Sequence, residues 1–126
     1  MNIKKYYVDS KALENYWTKW YESNDPDAWQ QLLAGIYQIS FGVAIHFRPH
    51  NDDEHRELAH EAFILTVEKI KDGRLRFTPG RAPVFNLLTT TIFRHLYSKM
   101  NRDSRRKSIM AAYKQKLIDD NAFEVH

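Results

Sequence analysis

The sequence predicts an all-α protein, a compact helical bundle of about five helices. Apolar residues recur at helical spacing through most of the chain, and few stretches alternate as strands do. Two of the four glycines and all four prolines fall at or between the ends of these segments. With 126 residues the chain has the length of one domain, expected over 1–126, with flexible ends at 1–8 and 117–126.

The first two helices are predicted from their caps and their apolar faces. Asp9 or Ser10 caps a helix that ends near Tyr21, and Asp25-Pro26 begins a second that ends near Phe47. The second helix carries apolar residues on more than one face, so we expect it to be central and contacted on two sides. The apolar side of the first helix is expected to hold Leu13, Trp17, Trp20 and Tyr21.

A third helix is expected from about Asp52 to Lys71. Asn51 and Glu54 have the spacing of a capping box, with Asn in the place of the usual Ser or Thr. Asp72-Gly73 is typical of a helix end that is closed by a left-handed residue.

The rest of the chain is predicted to form a loop and two further helices. The loop, 73–82, is polar and basic around one phenylalanine. Pro83 then begins a helix that runs through Leu96, or as far as Met100. Residues 101–118 also have helical spacing, and we expect a break where the two segments meet.

Composition places the chain among folded proteins of a reducing compartment. Hydrophobic residues make up 43% and charged residues 28%, and there are no cysteines for disulfides or thiolate metal sites. No apolar run approaches the roughly 20 residues of a membrane span, and the first residues, MNIKKYYVDS, lack the apolar stretch of a signal peptide. We expect a cytoplasmic protein without a membrane partner.

The net charge of +3 is modest, but it is unevenly distributed. Residues 1–93 carry eleven Lys or Arg against twelve Asp or Glu, whereas residues 94–116 carry eight against one. The last ten residues carry none against three. Phosphate is the commonest partner of such a basic segment, because counterion release acts on a local patch. The alternative is a solvated basic helix without a partner.

The third helix has an acidic stripe, formed by Glu57, Glu61, Ile64 and Glu68 at positions that share one face. Carboxylates around one aliphatic side chain suit a basic helical partner with an apolar centre. The alternative is a solvated helix face.

The fourth helix separates a core stripe from a polar and aromatic stripe. Leu88, Ile92 and Leu96 form the core stripe, with Val84 or Phe85. The second stripe consists of Asn86, Thr90, Phe93, Tyr97 and Asn101, and a basic stripe beside it of His95, Lys99, Arg102 and Arg106. Aromatic rings can stack unpaired bases while cations hold phosphates, so the pattern predicts a single-stranded nucleic-acid surface. The alternative is that Phe93 and Tyr97 pack against another helix.

Histidines occur at 46, 50, 55 and 60 among acidic residues, a composition that raises the hypothesis of a metal-dependent helical enzyme. Pro49 separates His46 from His50, and the spacing of His55 and His60 places them on different helix sides. The chain also lacks a GxSxG motif and a glycine-rich phosphate loop. We therefore expect no metal, no cofactor and no catalytic residue.

One segment resembles region 2 of bacterial sigma factors, EHRELAHEAFILTVEKIKDGRLRFTPGRAPVFNLLTTTIFRHLYSKMNRDSRR. The family's L-x-x-E-[AG]-x helix matches 58–63, and its F-[DT]-P loop matches 77–79. A helix then opens with an aromatic, here Phe85, and ends in a basic tract, here 102–107. The small size and the opening YVDS-KALENYWTKWYE look most similar to the late-transcription sigma factors of T-even-like tailed phages.

The resemblance implies a fold and a role for each surface. It implies a bundle of sigma region 2 type that docks on the clamp helices of the largest subunit of bacterial-type RNA polymerase. Contacts with polymerase would fall to the acidic stripe, Glu57 and Glu61 above all. Capture of the non-template strand of the melted −10 promoter element would fall to Phe85, Phe93, Arg94 and Tyr97. The basic tract, with Arg102, Arg105 and Arg106, would touch upstream duplex phosphates.

The sequence departs from that family in two respects. Leu88-Thr89 occupies the neighbourhood of the tandem tryptophans of housekeeping sigma factors, and the loop before the helix is shorter than usual. The chain is also too short for the separate domain that reads the −35 element, which the phage late factors lack as well.

The tail LIDDNAFEVH is a candidate peptide for binding a sliding clamp or co-activator, and the alternative is a frayed terminus.

The sequence therefore predicts a promoter-specificity subunit of RNA polymerase that is not an enzyme by itself, active in the host cytoplasm if phage-encoded. The alternative is a polymerase-binding helical adaptor, or an anti-sigma-like regulator, that uses the acidic stripe without reading DNA.

Overall fold

The computed structural model describes residues 8–119, apart from the side chains at 113, 114 and 116–119. These residues form four α-helices and no strand, so the all-α prediction is confirmed. The helices are α1 (Ser10–Ser23), α2 (Pro26–Ala44), α3 (Asp52–Lys71) and α4 (Val84–Asp119), with a 3-10 turn at Ile45–Phe47. Two units make up the chain, one ending at Leu96 and one beginning at Tyr97, and α4 contributes residues to both.

The helices begin at the predicted caps. Asp9 accepts hydrogen bonds from the first amides of α1, and Asp25 does the same for α2, where Pro26 occupies the first turn. At α3 the Asn51 side chain accepts from the Glu54 N–H at 2.8 Å. The Glu54 carboxylate accepts a hydrogen bond from the His50 N–H at 3.1 Å. In a standard capping box it would accept from the N–H of the cap residue itself, here Asn51.

Helix α2 packs against both α1 and α3, which confirms its prediction as the central element. Its side towards α3 carries the aromatic residues that fall outside its main apolar stripe. The Tyr37 ring lies 5.2 Å from that of Phe63, and the Phe41 ring 4.9 Å from that of His55. The second helix was predicted to end near Phe47. The α-helix ends three residues earlier, at Ala44, because Ile45–Phe47 form the 3-10 turn.

The core of the first unit consists of apolar side chains from all four helices. The larger buried members are Leu13, Trp17, Leu32, Ile36, Ile39, Val43, Leu58, Ile70, Val84, Leu88, Ile92 and Leu96. Tyr21 does not belong to it: the side chain is 70% exposed, so its placement on the apolar side of α1 was wrong. The helix ends two residues later than predicted, at Ser23, and Tyr21 in its last turn faces solvent.

The connection between α3 and α4 is held by local hydrogen bonds. Gly73 has a φ of 81°, the predicted left-handed end of α3, and its N–H donates to Ile70 O at 3.3 Å. A turn follows at 78–81, in which Gly80 has a φ of 86° and the Arg81 N–H donates to Thr78 O at 3.2 Å. Pro79 before Gly80 suits a type II turn, which needs a positive φ at its third residue.

The predicted break between Leu96 and 101–118 does not occur. Helix α4 is continuous from Val84 to Asp119, which makes four helices in the described residues rather than five. Asn and Asp lower helix propensity by a fraction of a kcal/mol, but no Gly or Pro interrupts this segment. Of the ends predicted to be flexible, 117–119 belong to α4, whereas 1–7 and 120–126 lie outside the described residues. Most of the candidate clamp-binding tail lies there too.

In the part of the chain that the structure describes, no helix combines the length and the apolar character that crossing a bilayer requires.

Helices α1 and α2 approach closely at Gly35, where an added Cβ would overlap the buried Leu13 side chain. We expect Leu13→Ala to lower the free energy of unfolding by about 2–5 kcal/mol. Gly35→Ala should lose about 1–3 kcal/mol to overpacking, partly offset by better helix propensity. In the double variant the methyl group introduced at position 35 fills part of the space that the Leu13 side chain leaves. Urea denaturation should then show a loss smaller than the sum by at least about 0.5 kcal/mol. Additive losses would argue against this close approach.

Candidate nucleic-acid interface

Helix α4 has a buried and an exposed side within the first unit. Val84, Leu88, Ile92 and Leu96 are buried, which confirms the predicted core stripe. Of the two candidates for its first position Val84 belongs to the core, and Phe85 is half-buried. The Phe85 N–H, one of the first amides of α4, donates to the Ser10 hydroxyl at 3.1 Å. Predicted DNA contacts that are exposed here are Asn86, Thr90, Phe93 and Arg94.

Phe93 is both packed and exposed. Its ring lies 5.3 Å from that of Phe47, with the planes inclined by 42°, while 45% of its surface remains open to solvent. Phe47 belongs to the 3-10 turn after α2, so the contact fixes the ring from one side. The alternative of packing is therefore partly realised at Phe93, and the open part of the ring remains accessible for stacking.

The second unit carries the remaining predicted DNA contacts. Tyr97 is 55% exposed, a large apolar surface for a ring to leave in water. Lys99 is half-buried, and the exposed members of the basic tract include Arg102, Arg105 and Arg106. Positive charge is thus displayed along this part of α4, with Asp103 as its one acidic residue before Lys116.

The acidic stripe of α3 faces solvent. Glu57 and Glu68 are exposed, Glu61 is half-buried, and Ile64 between them is 41% exposed. Neither Glu57 nor Glu68 forms an ion pair within the described part of the chain. The four side chains predicted to share a face therefore form a surface of negative charge around one aliphatic residue.

The histidine cluster does not converge. His55 is buried, and its Nε2 is 2.8 Å from Phe41 O, so a hydrogen bond between α2 and α3 accounts for its place in the core. His46, His50 and His60 are exposed. Among the residues that the structure describes, no group of three or more potential ligands could hold a metal ion.

An aromatic groove was missed by the sequence analysis. It has a volume of about 480 Å³ and lies between α1 and the start of the α3–α4 loop. Trp17, Trp20 and Phe77 line it, and the rings of Trp17 and Phe77 are 6.0 Å apart. The spacing of apolar residues in α1 could not reveal it, because the loop that forms its other wall has no periodic pattern.

Two titratable groups have shifted pKa values, Asp72 just after α3 and His95 in α4. A hydrogen bond from the Arg74 N–H, together with the Arg74 guanidinium at 2.6 Å, lowers the pKa of Asp72. Burial lowers the pKa of His95, and the positive charges of Lys69 and Arg74 lower it further. Neither ring nitrogen of His95 has a hydrogen-bond partner in the described residues, although both are shielded from water. His95 was predicted to be part of a phosphate stripe, but its ring nitrogens are not available at the surface.

Comparisons of the chain with protein-family models, with curated proteins and with solved structures each gave no match.

The lowered pKa of His95 predicts a pH dependence of stability. The unfolded chain binds the His95 proton more readily than the folded protein, so acid favours unfolding. We expect the free energy of unfolding to fall as the pH decreases from about 7 through the ordinary value of 6.5 and on towards the lowered pKa. His95→Gln, which cannot titrate, should lose this part of the dependence. Urea denaturation at closely spaced pH values measures both proteins, and identical pH profiles would refute the assignment to His95.

Proposed function

We propose that this protein is a sigma-type specificity factor of RNA polymerase, acting in phage late transcription. Its α3 docks on the polymerase clamp helices, and its α4 holds the non-template strand of a melted −10-type element. The observation that carries the proposal is the exposure of two aromatic side chains of α4, Phe93 in the first unit and Tyr97 in the second. Aromatic rings on a fixed helix provide stacking surfaces for unpaired bases.

Charge on α4 supports the same assignment. Arg94 lies in the first unit, and Arg102, Arg105 and Arg106 in the second, all of them exposed. Cations give a sequence-independent, salt-sensitive contribution to nucleic-acid affinity, whereas stacking on Phe93 and Tyr97 would favour unpaired over paired bases. Together the two kinds of contact suit a strand that must be held open.

The acidic stripe supports a protein partner. Solvent-exposed carboxylates on one helix face repel one another mildly, and a basic partner would relieve that repulsion. Ile64 supplies an exposed apolar centre to such an interface. The clamp helices of polymerase are the partner that the family resemblance implies.

A polymerase-binding adaptor that does not read DNA is the second candidate. The packing of Phe93 against Phe47 favours it, because part of the supposed stacking ring already has a structural neighbour. The two candidates share polymerase binding and differ in promoter-specific initiation. Mixing the protein with bacterial core polymerase and a template that carries phage late promoters tests the proposal. Initiation at defined sites supports a sigma-type factor, and polymerase binding without it supports an adaptor.

Glu57→Lys combined with Glu61→Lys should abolish binding to core polymerase while the helix content stays unchanged. Charge reversal replaces attraction by repulsion in a complementary interface, at a cost of several kcal/mol. Glu14→Lys with Glu22→Lys, the same charge change on α1, is the matched control and should bind as the wild type does. Co-purification measures binding and circular dichroism measures helix content. Undiminished binding by the α3 variant would exclude this face.

Phe93→Ala and Tyr97→Ala should each impair open-complex formation on duplex promoters more than on templates already melted at −10. Stacking is worth about 1–3 kcal/mol per base, so each loss on duplex templates should be roughly tenfold. Tyr21→Ala, which removes an exposed ring from α1, is the control and should have no effect.

Salt-dependent template binding and thermal unfolding distinguish phosphate contacts, base stacking and structural roles. Lys99→Ala or Arg102→Ala should weaken binding to both kinds of template and flatten the salt dependence, because phosphate contacts do not read the sequence. If Phe93→Ala or Tyr97→Ala instead unfolds at a clearly lower temperature, with equal losses on both templates, the rings are structural and the stacking role is wrong.

A further inference from the structure

A basic concavity lies between the end of α3, the α3–α4 loop and α4. It has a volume of about 340 Å³. Residues from three elements line it: Lys69 of α3, Arg74 and Leu75 of the α3–α4 loop, and Leu87, Thr91 and Arg94 of α4. All of them belong to the first unit. Three cations and no acidic side chain therefore line this recess.

The positive charge of the recess is only partly compensated. Arg74 Nε donates to Asp72 Oδ2 at 2.6 Å, and the lowered pKa of Asp72 keeps that carboxylate ionised. The bond uses one edge of the guanidinium and leaves the Nη groups to donate elsewhere. Neither Lys69 nor Arg94 forms an ion pair within the described residues. An anion in the recess would supply the missing counter-charge.

The His95 side chain is affected by the charges of two of these cations. His95 follows Arg94 in α4, and both of its ring nitrogens are shielded from water without a hydrogen-bond partner among the described residues. Burial lowers its pKa first, and the charges of Lys69 and Arg74 lower it further, so these two cations act on the same small volume.

We propose that this recess is a phosphate-binding subsite, in which Lys69, Arg74 and Arg94 together hold one backbone phosphate of a single-stranded nucleic acid. Guanidinium groups donate in a planar fork that fits phosphate oxygens, and Lys69 adds a point charge. The recess itself is defined by its own residues. The choice of nucleic acid over free phosphate rests on the proposed function, because the same helix exposes Phe93.

Binding of the full-length protein to fluorescent (dT)12 tests the subsite. Lys69→Gln with Arg94→Gln should weaken binding roughly tenfold at low salt, and the slope of log K against log salt should become shallower by about 1.4, about 0.7 for each cation removed. Lys11→Gln with Lys19→Gln is the matched control, since it removes the same charge from α1 and should weaken binding less than about twofold. Equal losses in the two double variants would overturn the subsite.

The His95 ring reports occupancy directly in an NMR pH titration. A phosphate in the recess offsets the charges of Lys69 and Arg74, so (dT)12 should raise the pKa of His95 in the wild type. The Lys69→Gln, Arg94→Gln variant should show a higher His95 pKa at the outset and little further rise. No change in the wild type at saturating (dT)12 would overturn the proposal.

Inorganic phosphate and tripolyphosphate distinguish the possible sources of the phosphate. If either produces the rise in the His95 pKa at lower phosphate concentration than (dT)12 does, the subsite takes a free anion and the nucleic-acid assignment is wrong. Initiation assays combined with (dT)12 binding distinguish failure of the proposed function from failure of the subsite. A wild-type protein that never supports promoter-specific initiation, yet binds (dT)12 through these cations, refutes the sigma-type role and supports the subsite. Promoter-specific initiation by the wild type, together with equal (dT)12 binding by both double variants, supports the sigma-type role and refutes the subsite.

Discussion

Helix α2 has to bury two sides, because its apolar residues cover more than one face. Helix α1 covers one of them, close enough at Gly35 that Leu13 occupies the space of a missing Cβ. Helix α3 covers the other with Phe63 and His55, each of which meets an aromatic ring of α2. Neither neighbour could be removed without exposing a large apolar area, and the remaining features of the first unit depend on this sandwich.

Polar groups inside this sandwich are satisfied locally. The buried Ser40 hydroxyl donates to Ile36 O at 2.8 Å, and the buried Thr66 hydroxyl donates to Ala62 O at the same distance. Such bonds within one helix let hydroxyls enter an apolar interface without the cost of an unpaired donor. The buried His55 side chain instead uses its hydrogen bond to connect two helices, from α3 to Phe41 O of α2.

The surfaces proposed for function depend on what these helices leave exposed. Burial of Val84, Leu88, Ile92 and Leu96 fixes the rotation of α4 in the first unit, so Phe93 and Arg94 must face away from the core. Burial of Leu58 and Ala62 likewise turns Glu57 and Ile64 of α3 towards solvent. Each exposed surface carries mostly one sign of charge, an arrangement that favours a partner of the opposite sign over the isolated protein.

The local features could be predicted from the sequence alone. The caps Asp25 and Asn51 and the left-handed Gly73 were correctly predicted, and Asp9 was one of the two candidates for the first cap, because capping involves atoms only a few residues apart. The core stripe of α4 followed from periodicity for the same reason. The extent of α4 was harder to predict, since a weak helix former such as Asn101 ends a helix only when a better alternative exists.

Contacts between residues that are distant in the sequence became visible only in the folded protein. The fold brought Phe47 against Phe93, built a groove from Trp17 and Phe77, and placed Lys69 and Arg74 beside Arg94. The Lys69 and Arg74 side chains belong to a helix end and an irregular loop, where no periodic pattern specifies direction. Their position beside α4 depends on how α3 and α4 bury their apolar faces. The spacing of residues along the sequence does not specify how closely two helices approach each other.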